Sequence, residues 1–165
     1  MRSRAVSLSA ALCALSLLVF VPAASAATSY SFQLTGPNTA VNPTTGDIIR
    51  VTGAGTFDTS ASTVVASGSF THTTSTGALV ARGTWVATSF VSFDAFGGPN
   101  NGTQGGVLDI IATLFPSGGS PVTGVPIEVV CVVNAPAGFT EEEGTSVDGF
   151  TEHTGGTTLI HLTGA

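Results

Sequence analysis

The chain has 165 residues, of which 42% are hydrophobic, and it carries 4 basic and 10 acidic side chains. None of the basic residues is lysine, which excludes Schiff-base catalysis by this chain. The formal net charge of −6 argues against binding to nucleic acid or to anionic lipid, since both are negatively charged.

The N-terminus predicts a secretion signal over residues 1–26. Arg2 and Arg4 supply a basic start, Ala5 to Val21 is an apolar core, and Ala24-Ser25-Ala26 is a small-residue cleavage motif. Because no later segment is long and apolar enough to cross a bilayer, we expect no membrane association once the signal is removed. The protein is expected to be secreted, or to reside in the periplasm or cell envelope.

Residues 27–165 are expected to form a single all-β domain with one core. Arg50 and Arg82 are the only basic residues in this part of the chain, so its formal charge is −8. Cys131 is its only thiol, which excludes an intramolecular disulfide. The β-branched residues around Cys131 predict a buried structural cysteine rather than a nucleophile.

The domain alternates short β-branched or aromatic segments with turns rich in glycine, proline and asparagine. The expected strands are Thr28–Leu34, Asp47–Asp58, Thr63–Thr73, Ala78–Ser89, Val107–Phe115, Ile127–Val133, Thr145–Glu152 and Thr157–Thr163. Residues 94–106 are expected to form a flexible loop, and no segment has the pattern of an amphipathic helix. This layout predicts an antiparallel up-and-down β-barrel, with a two-sheet β-sandwich as the alternative.

Three of these strands can be aligned through four-residue turns over residues 59–62 and 74–77. The alignment places Val51 opposite Phe70, and Phe70 opposite Ala81. One face is then apolar and contains Ile49, Val51, Phe57, Val64, Phe70, Leu79, Ala81 and Trp85. The other face is rich in hydroxyl groups and is expected to contact water: Thr52, Thr56, Ser67, Ser69, Thr71, Thr73, Val80, Arg82, Thr84 and Thr88.

The same alignment puts Gly53, Gly68 and Gly83 in one row on the apolar face, near Trp85. Glycine weakens the interior of a strand, so three aligned glycines call for a structural or functional explanation. One interpretation is a bend in the sheet with Trp85 over the bare backbone, and the other is the open floor of a ligand cleft. His72 lies on the same side near a turn, where it could contact a ligand, although a histidine among apolar residues is often satisfied by a backbone carbonyl. These five residues are the candidate ligand-binding residues.

Asp148 and His161 are a candidate acid/base pair. If residues 145–152 and 157–163 form a hairpin around residues 153–156, the two side chains face each other, and a carboxylate can orient an imidazole for proton transfer. An exposed ion pair is the alternative interpretation. A different turn would shift the register and separate the two residues.

No catalytic, metal-binding or cofactor-binding motif is present, so no metal and no cofactor are expected. The acidic run Glu141–Glu143 lacks the spacing of calcium ligands. The histidines His72, His153 and His161 likewise show no metal-ligand spacing.

Three short motifs carry a resemblance: Gly53-Ala54-Gly55-Thr56-Phe57-Asp58, Gly68-Ser69-Phe70-Thr71-His72 and Gly83-Thr84-Trp85. In these the chain resembles small secreted bacterial all-β proteins of unassigned function. The resemblance implies a secreted β-rich domain and transfers no catalytic residue. In fold alone, the layout is also similar to small barrels of the lipocalin and allene oxide cyclase kind, which hold apolar ligands.

The sequence is compatible with three functions. The first is non-enzymatic binding of a small hydrophobic ligand inside the barrel. The second is a structural or surface-interaction role for a barrel with a solid core. The third is an isomerase-like or cyclase-like enzyme in which Asp148 and His161, or His72 with Asp58 or Asp94, converge in a pocket.

Overall fold

A computed structural model describes residues 28–164, which fold into eight antiparallel β-strands. The strands are β1 (Ser29–Val41), β2 (Ile48–Asp58), β3 (Thr63–Thr73), β4 (Leu79–Asn100), β5 (Thr103–Pro116), β6 (Val122–Cys131), β7 (Gly144–Val147) and β8 (Glu152–Gly164). The all-β, antiparallel prediction is confirmed. The signal predicted over residues 1–26 lies outside the described residues, and within residues 28–164 there is no helix capable of crossing a membrane.

Consecutive strands from β1 to β7 pair with each other, and β8 returns to pair with β1. The start of β5 also meets β8 through the single pair Thr103 and His161. The strands β1, β2, β3, β4, β5 and β8 therefore form a closed ring of pairings, and β6 and β7 extend from β5.

The β2–β3 hairpin has the predicted register. Val51 lies opposite Phe70, and Gly53 lies opposite Gly68. A shift of one residue would turn every side chain to the other face, so the apolar pattern fixes this pairing wherever one face is buried.

Asp58 stabilises the turn of this hairpin. Its carboxylate accepts hydrogen bonds from the hydroxyl and amide of Ser60, from the amide of Ala61 and from the hydroxyl of Ser29 in β1. These bonds, with the Ser60 hydroxyl contributing most, lower the pKa of Asp58 to about 2 because they favour the charged form. The turn after β2 is thereby attached to β1 as well.

The β3–β4 register differs from the prediction by two residues. Phe70 lies opposite Gly83 rather than Ala81, because the turn is one residue longer than expected and a β-bulge follows beside His72. An even shift leaves the later residues of β4 on their predicted faces. Leu79 precedes the bulge and is 57% exposed instead of lying in the apolar face. The predicted row of three glycines was therefore wrong for Gly83.

The loop expected over residues 94–106 was also wrong, because this segment is a β-hairpin. β4 continues to Asn100 and β5 begins at Thr103. The two residues between them, Asn101 and Gly102, have positive φ values of 50° and 81°. Two such residues suit a type I′ turn, whose twist matches that of a hairpin.

The C-terminal hairpin expected around residues 153–156 is absent. β8 runs through this segment and pairs with β1, with His153 opposite Ala40 and His161 opposite Ser31. The expected turn residues coincide with an irregularity in the β1–β8 register rather than with a chain reversal. Glycines that suggest a turn can equally mark a bulge within a strand.

The face predicted to be hydroxyl-rich lies at the surface, and none of its ten named residues is buried. On the opposite face, Trp85 is 1% exposed and packs against the backbone of Gly53 and Gly68. Its Nε1 donates a hydrogen bond of 3.0 Å to the carbonyl oxygen of Thr52. The indole therefore buries its apolar area and satisfies its one polar group.

Buried polar side chains attach β6 and β7 to the β1–β8 pair. Asn38 donates through Nδ2 to the carbonyl oxygen of Thr157 (3.2 Å) and accepts a bond from the hydroxyl of Thr145 (3.3 Å). The hydroxyl of Thr158 donates to the carbonyl oxygen of Val130 (2.5 Å). These bonds fix the position of β7, and with it the turn over residues 148–151.

Replacing Gly68 with alanine is expected to destabilise the fold by about 3 kcal/mol, the upper part of the range for overpacked cores. The added methyl group would overlap the carbonyl oxygen of Thr52 and lie 2.6 Å from Nε1 of Trp85. Urea denaturation followed by Trp85 fluorescence measures the change.

Gly155→Ala is the matched control, since a methyl group there meets no atom within 4 Å. It should change stability by less than about 0.5 kcal/mol. Equal urea midpoints for the Gly68 and Gly155 variants would contradict the close packing of Trp85 on β3.

Candidate functional site

The interior of the ring is filled at its centre and at one end. Around Trp85 and Val51 there is no space large enough for a water molecule. At the end where β2 finishes, Tyr30 stacks on Phe57 with ring centres 4.9 Å apart, and Phe93 packs edge-on against Phe57 at 4.9 Å. The centre therefore has no room for a ligand, and aromatic rings pack against each other at this end.

The other end opens into a cavity of about 190 Å³, which we call the end cavity. It lies where β2 and β4 begin and β3 and β5 end, beside the turn after β7. Its wall is mostly apolar and includes Ile49, Phe70, Ala81, Leu114, Val125 and Phe150. His72 and Asp148 are the two polar residues that line it.

His72 is held at the end cavity by Asp47, which precedes β2. Nε2 of His72 lies 3.1 Å from Oδ2 of Asp47, and Oδ1 of Asp47 accepts a bond of 3.2 Å from the Ser75 amide. Because an ionised carboxylate only accepts hydrogen bonds, Nε2 carries the proton. Phe150 packs edge-on against the imidazole, with ring centres 5.1 Å apart. A carboxylate thus takes the place of the backbone carbonyl expected as the partner of His72.

The five candidate ligand-binding residues fall into three positions. His72 lines the end cavity, and Trp85 lies directly beneath it, sharing contacts with cavity residues such as Phe70. Gly53 and Gly68 are covered by the indole, as the packing interpretation expects. Gly83 lies against the backbone of β5 instead. A binding role for these residues stays a prediction, and His72 is the one placed to contact a ligand.

Asp148 and His161 do not face each other. Asp148 lies in the turn after β7, where its amide donates to the carbonyl oxygen of Pro126 (3.2 Å), and it is one of the residues that line the end cavity. His161 lies in β8, exposed, opposite Ser31 and Thr103. The expected acid/base pair depended on a hairpin that the fold lacks. The other expected partners of His72, Asp58 and Asp94, are likewise replaced by Asp47.

Asp47 and Phe150 were not recognised in the sequence. Asp47 could have been found, because it lies two residues before Ile49, and Ile49 is opposite His72 in the β2–β3 register. Such diagonal neighbours on one face are within side-chain reach. Phe150 carried no comparable signal, since it was expected in the strand Thr145–Glu152, whereas β7 ends at Val147 and the turn after it brings Phe150 over His72.

Acidic residues line two further cavities, which share Glu128 of β6. The first, of about 320 Å³, includes Asp109, Glu128 and Asp148, and the second, of about 500 Å³, includes Glu128, Glu141 and Glu152. Burial raises the pKa of Glu128, and the nearby charges of Glu141 and Asp109 raise it further. This side of the molecule opposes the approach of anions.

Cys131 is a free thiol with no exposed surface, as predicted for a structural cysteine. Across residues 28–164, no three His, Cys, Asp or Glu side chains gather in a way that could hold a metal ion.

The chain matches no protein-family model, no curated protein and no solved structure.

Glu128→Gln is expected to raise the urea midpoint at pH 7.5 and to leave it unchanged near pH 4. The native state binds the Glu128 proton more tightly than the unfolded chain does, so protonation favours folding below the ordinary pKa of 4.5. That contribution is lost as the pH rises through the raised native pKa. Glutamine keeps an oxygen to accept the bond from the Ser146 hydroxyl.

Glu152→Gln, at an exposed position, is the control and should show little difference between the two pH values. A Glu128→Gln protein that is less stable than the wild type at pH 7.5 would show that the ionised carboxylate of Glu128 does not destabilise the folded protein.

Proposed function

We propose that the protein is a non-enzymatic binding domain, acting outside the cytoplasm, that takes one small hydrophobic molecule into the end cavity. The observation that carries this proposal is an apolar cavity at one end of an otherwise filled interior. Concave, mainly apolar sites with a few placed polar groups are the usual form of small-molecule sites.

The size of the end cavity sets the size of the ligand. Drug-sized ligands occupy cavities of roughly 300–1,000 Å³, whereas an engineered apolar cavity of about 150 Å³ binds benzene. At about 190 Å³, the end cavity suits a molecule of about one ring. Trp85 prevents a longer molecule from extending into the centre.

Apolar side chains at the rim provide an entrance. Val122 lines the end cavity and is 51% exposed, and Leu79 is exposed two residues before the lining residue Ala81. Neighbouring exposed apolar residues on a monomer often mark a binding surface.

We also propose that the ring is an up-and-down barrel rather than a two-sheet sandwich. In its support, the first seven strands pair in chain order and β8 pairs with β1. The end cavity is then the barrel mouth, with β6 and β7 supplying part of its rim.

Toluene is expected to bind with a Kd on the order of 1 mM or tighter, which corresponds to about −4 kcal/mol. In a titration followed by amide NMR, the largest shift changes should come from Ala81, His72 and Phe150. Ala81→Leu, which places a larger side chain in the end cavity, should weaken binding at least 10-fold.

The control is Ala54→Leu, the same change in a groove on the outer face, which should alter the Kd less than twofold. The absence of toluene binding to the wild type, or equal effects of the two leucine variants, would overturn the proposed function.

A surface-interaction role is the second candidate. An outer groove of about 420 Å³ is lined mainly by apolar residues of β2, β3 and β4, and its Val65 is 76% exposed. In this role a partner would contact the outer face, and the end cavity would bind no ligand.

A further inference from the structure

The polar groups of the end cavity both offer hydrogen-bond acceptors. The proton on Nε2 of His72 is taken by Asp47, which does not line the end cavity. In a neutral imidazole the second nitrogen is then an acceptor. Within residues 28–164, Nδ1 of His72 has no hydrogen-bond partner, and the carboxylate of Asp148 can also only accept at neutral pH.

The charges around the end cavity disfavour an anionic ligand. Asp148 lines it and Asp47 lies directly behind His72. Arg50 and Arg82 are both exposed and neither lines the cavity. A carboxylate ligand would therefore lose its hydration without gaining a cationic partner, which is costly in an apolar site.

We infer that the ligand is an uncharged molecule of about one ring that carries a hydroxyl or N–H group, and that this group donates a hydrogen bond to Nδ1 of His72. Phe70 and Phe150 in the wall provide the apolar surface for the ring. This inference rests on the proposed function, because it specifies the chemistry of the molecule that occupies the same cavity. His72 is then a specificity-determining residue rather than a catalytic one.

Phenol, toluene and benzoate are suitable probes, because they share a ring and differ in one group. Their Kd values are measured by NMR titration of the wild type and of His72→Phe at pH 7.5. A neutral hydrogen bond contributes roughly 1 kcal/mol. The ratio of phenol affinity to toluene affinity should therefore be about 5-fold larger in the wild type than in His72→Phe. Benzoate should bind the wild type at least 10-fold more weakly than phenol.

The outcomes separate the two proposals. If neither phenol nor toluene binds, the proposed function fails. If toluene binds but the phenol-to-toluene ratio is the same in both proteins, or benzoate binds most tightly, only the hydrogen-bond inference fails. Asp94→Asn, at an exposed position that does not line the end cavity, is the control and should leave the benzoate affinity and the phenol-to-toluene ratio unchanged.

Imidazole ¹⁵N NMR of the wild type gives an independent readout that does not depend on a variant folding. The spectrum should show a protonated Nε2 and an unprotonated Nδ1 for His72. Phenol should shift the Nδ1 signal and toluene should not. A protonated Nδ1 with an unprotonated Nε2, or identical responses to the two probes, would overturn the inference.

Discussion

The packing of Trp85 on Gly53 and Gly68 is the interaction on which the rest of the structure depends. Burying an indole is worth roughly 4–6 kcal/mol at 25 cal/mol per Å², a large part of the stability of a domain this size. The contact is possible only because neither glycine carries a side chain. The hydrogen bond from Trp85 to the Thr52 carbonyl then fixes the plane of the indole within the core.

This packing divides the interior into regions with different properties. The aromatic cluster around Phe57 closes one end, Trp85 fills the centre, and the end cavity near His72 is left open. The Asp47–His72 pair and the turn carrying Asp148 bring polar groups to an otherwise apolar wall. The end cavity is small, has aromatic side chains in its wall, and offers hydrogen-bond acceptors but no cation. These features are the reason for proposing an uncharged ligand of about one ring with a hydrogen-bond donor.

The sequence predicted the β2–β3 hairpin correctly because alternation and a short turn involve only neighbouring residues, and that register already placed Asp47 diagonal to His72. The bulge beside His72 lies in the neighbouring β3–β4 hairpin, where the turn is one residue longer than the sequence pattern indicated. The uninterrupted course of β8 depends on pairing with β1, which is distant in sequence, so local pattern could not reveal it. For the same reason, the candidate pair Asp148 and His161 was separated, and Phe150 reached the end cavity without any signal in its own segment.

Xenon binding in a crystal of residues 27–165 tests the central claim most directly, because xenon enters apolar cavities without requiring a specific partner. The account predicts xenon density in the end cavity, between Phe70 and Phe150, and none beside Trp85. Density beside Trp85 would show that the centre is not filled, and an end cavity without xenon would show that it is not an apolar site.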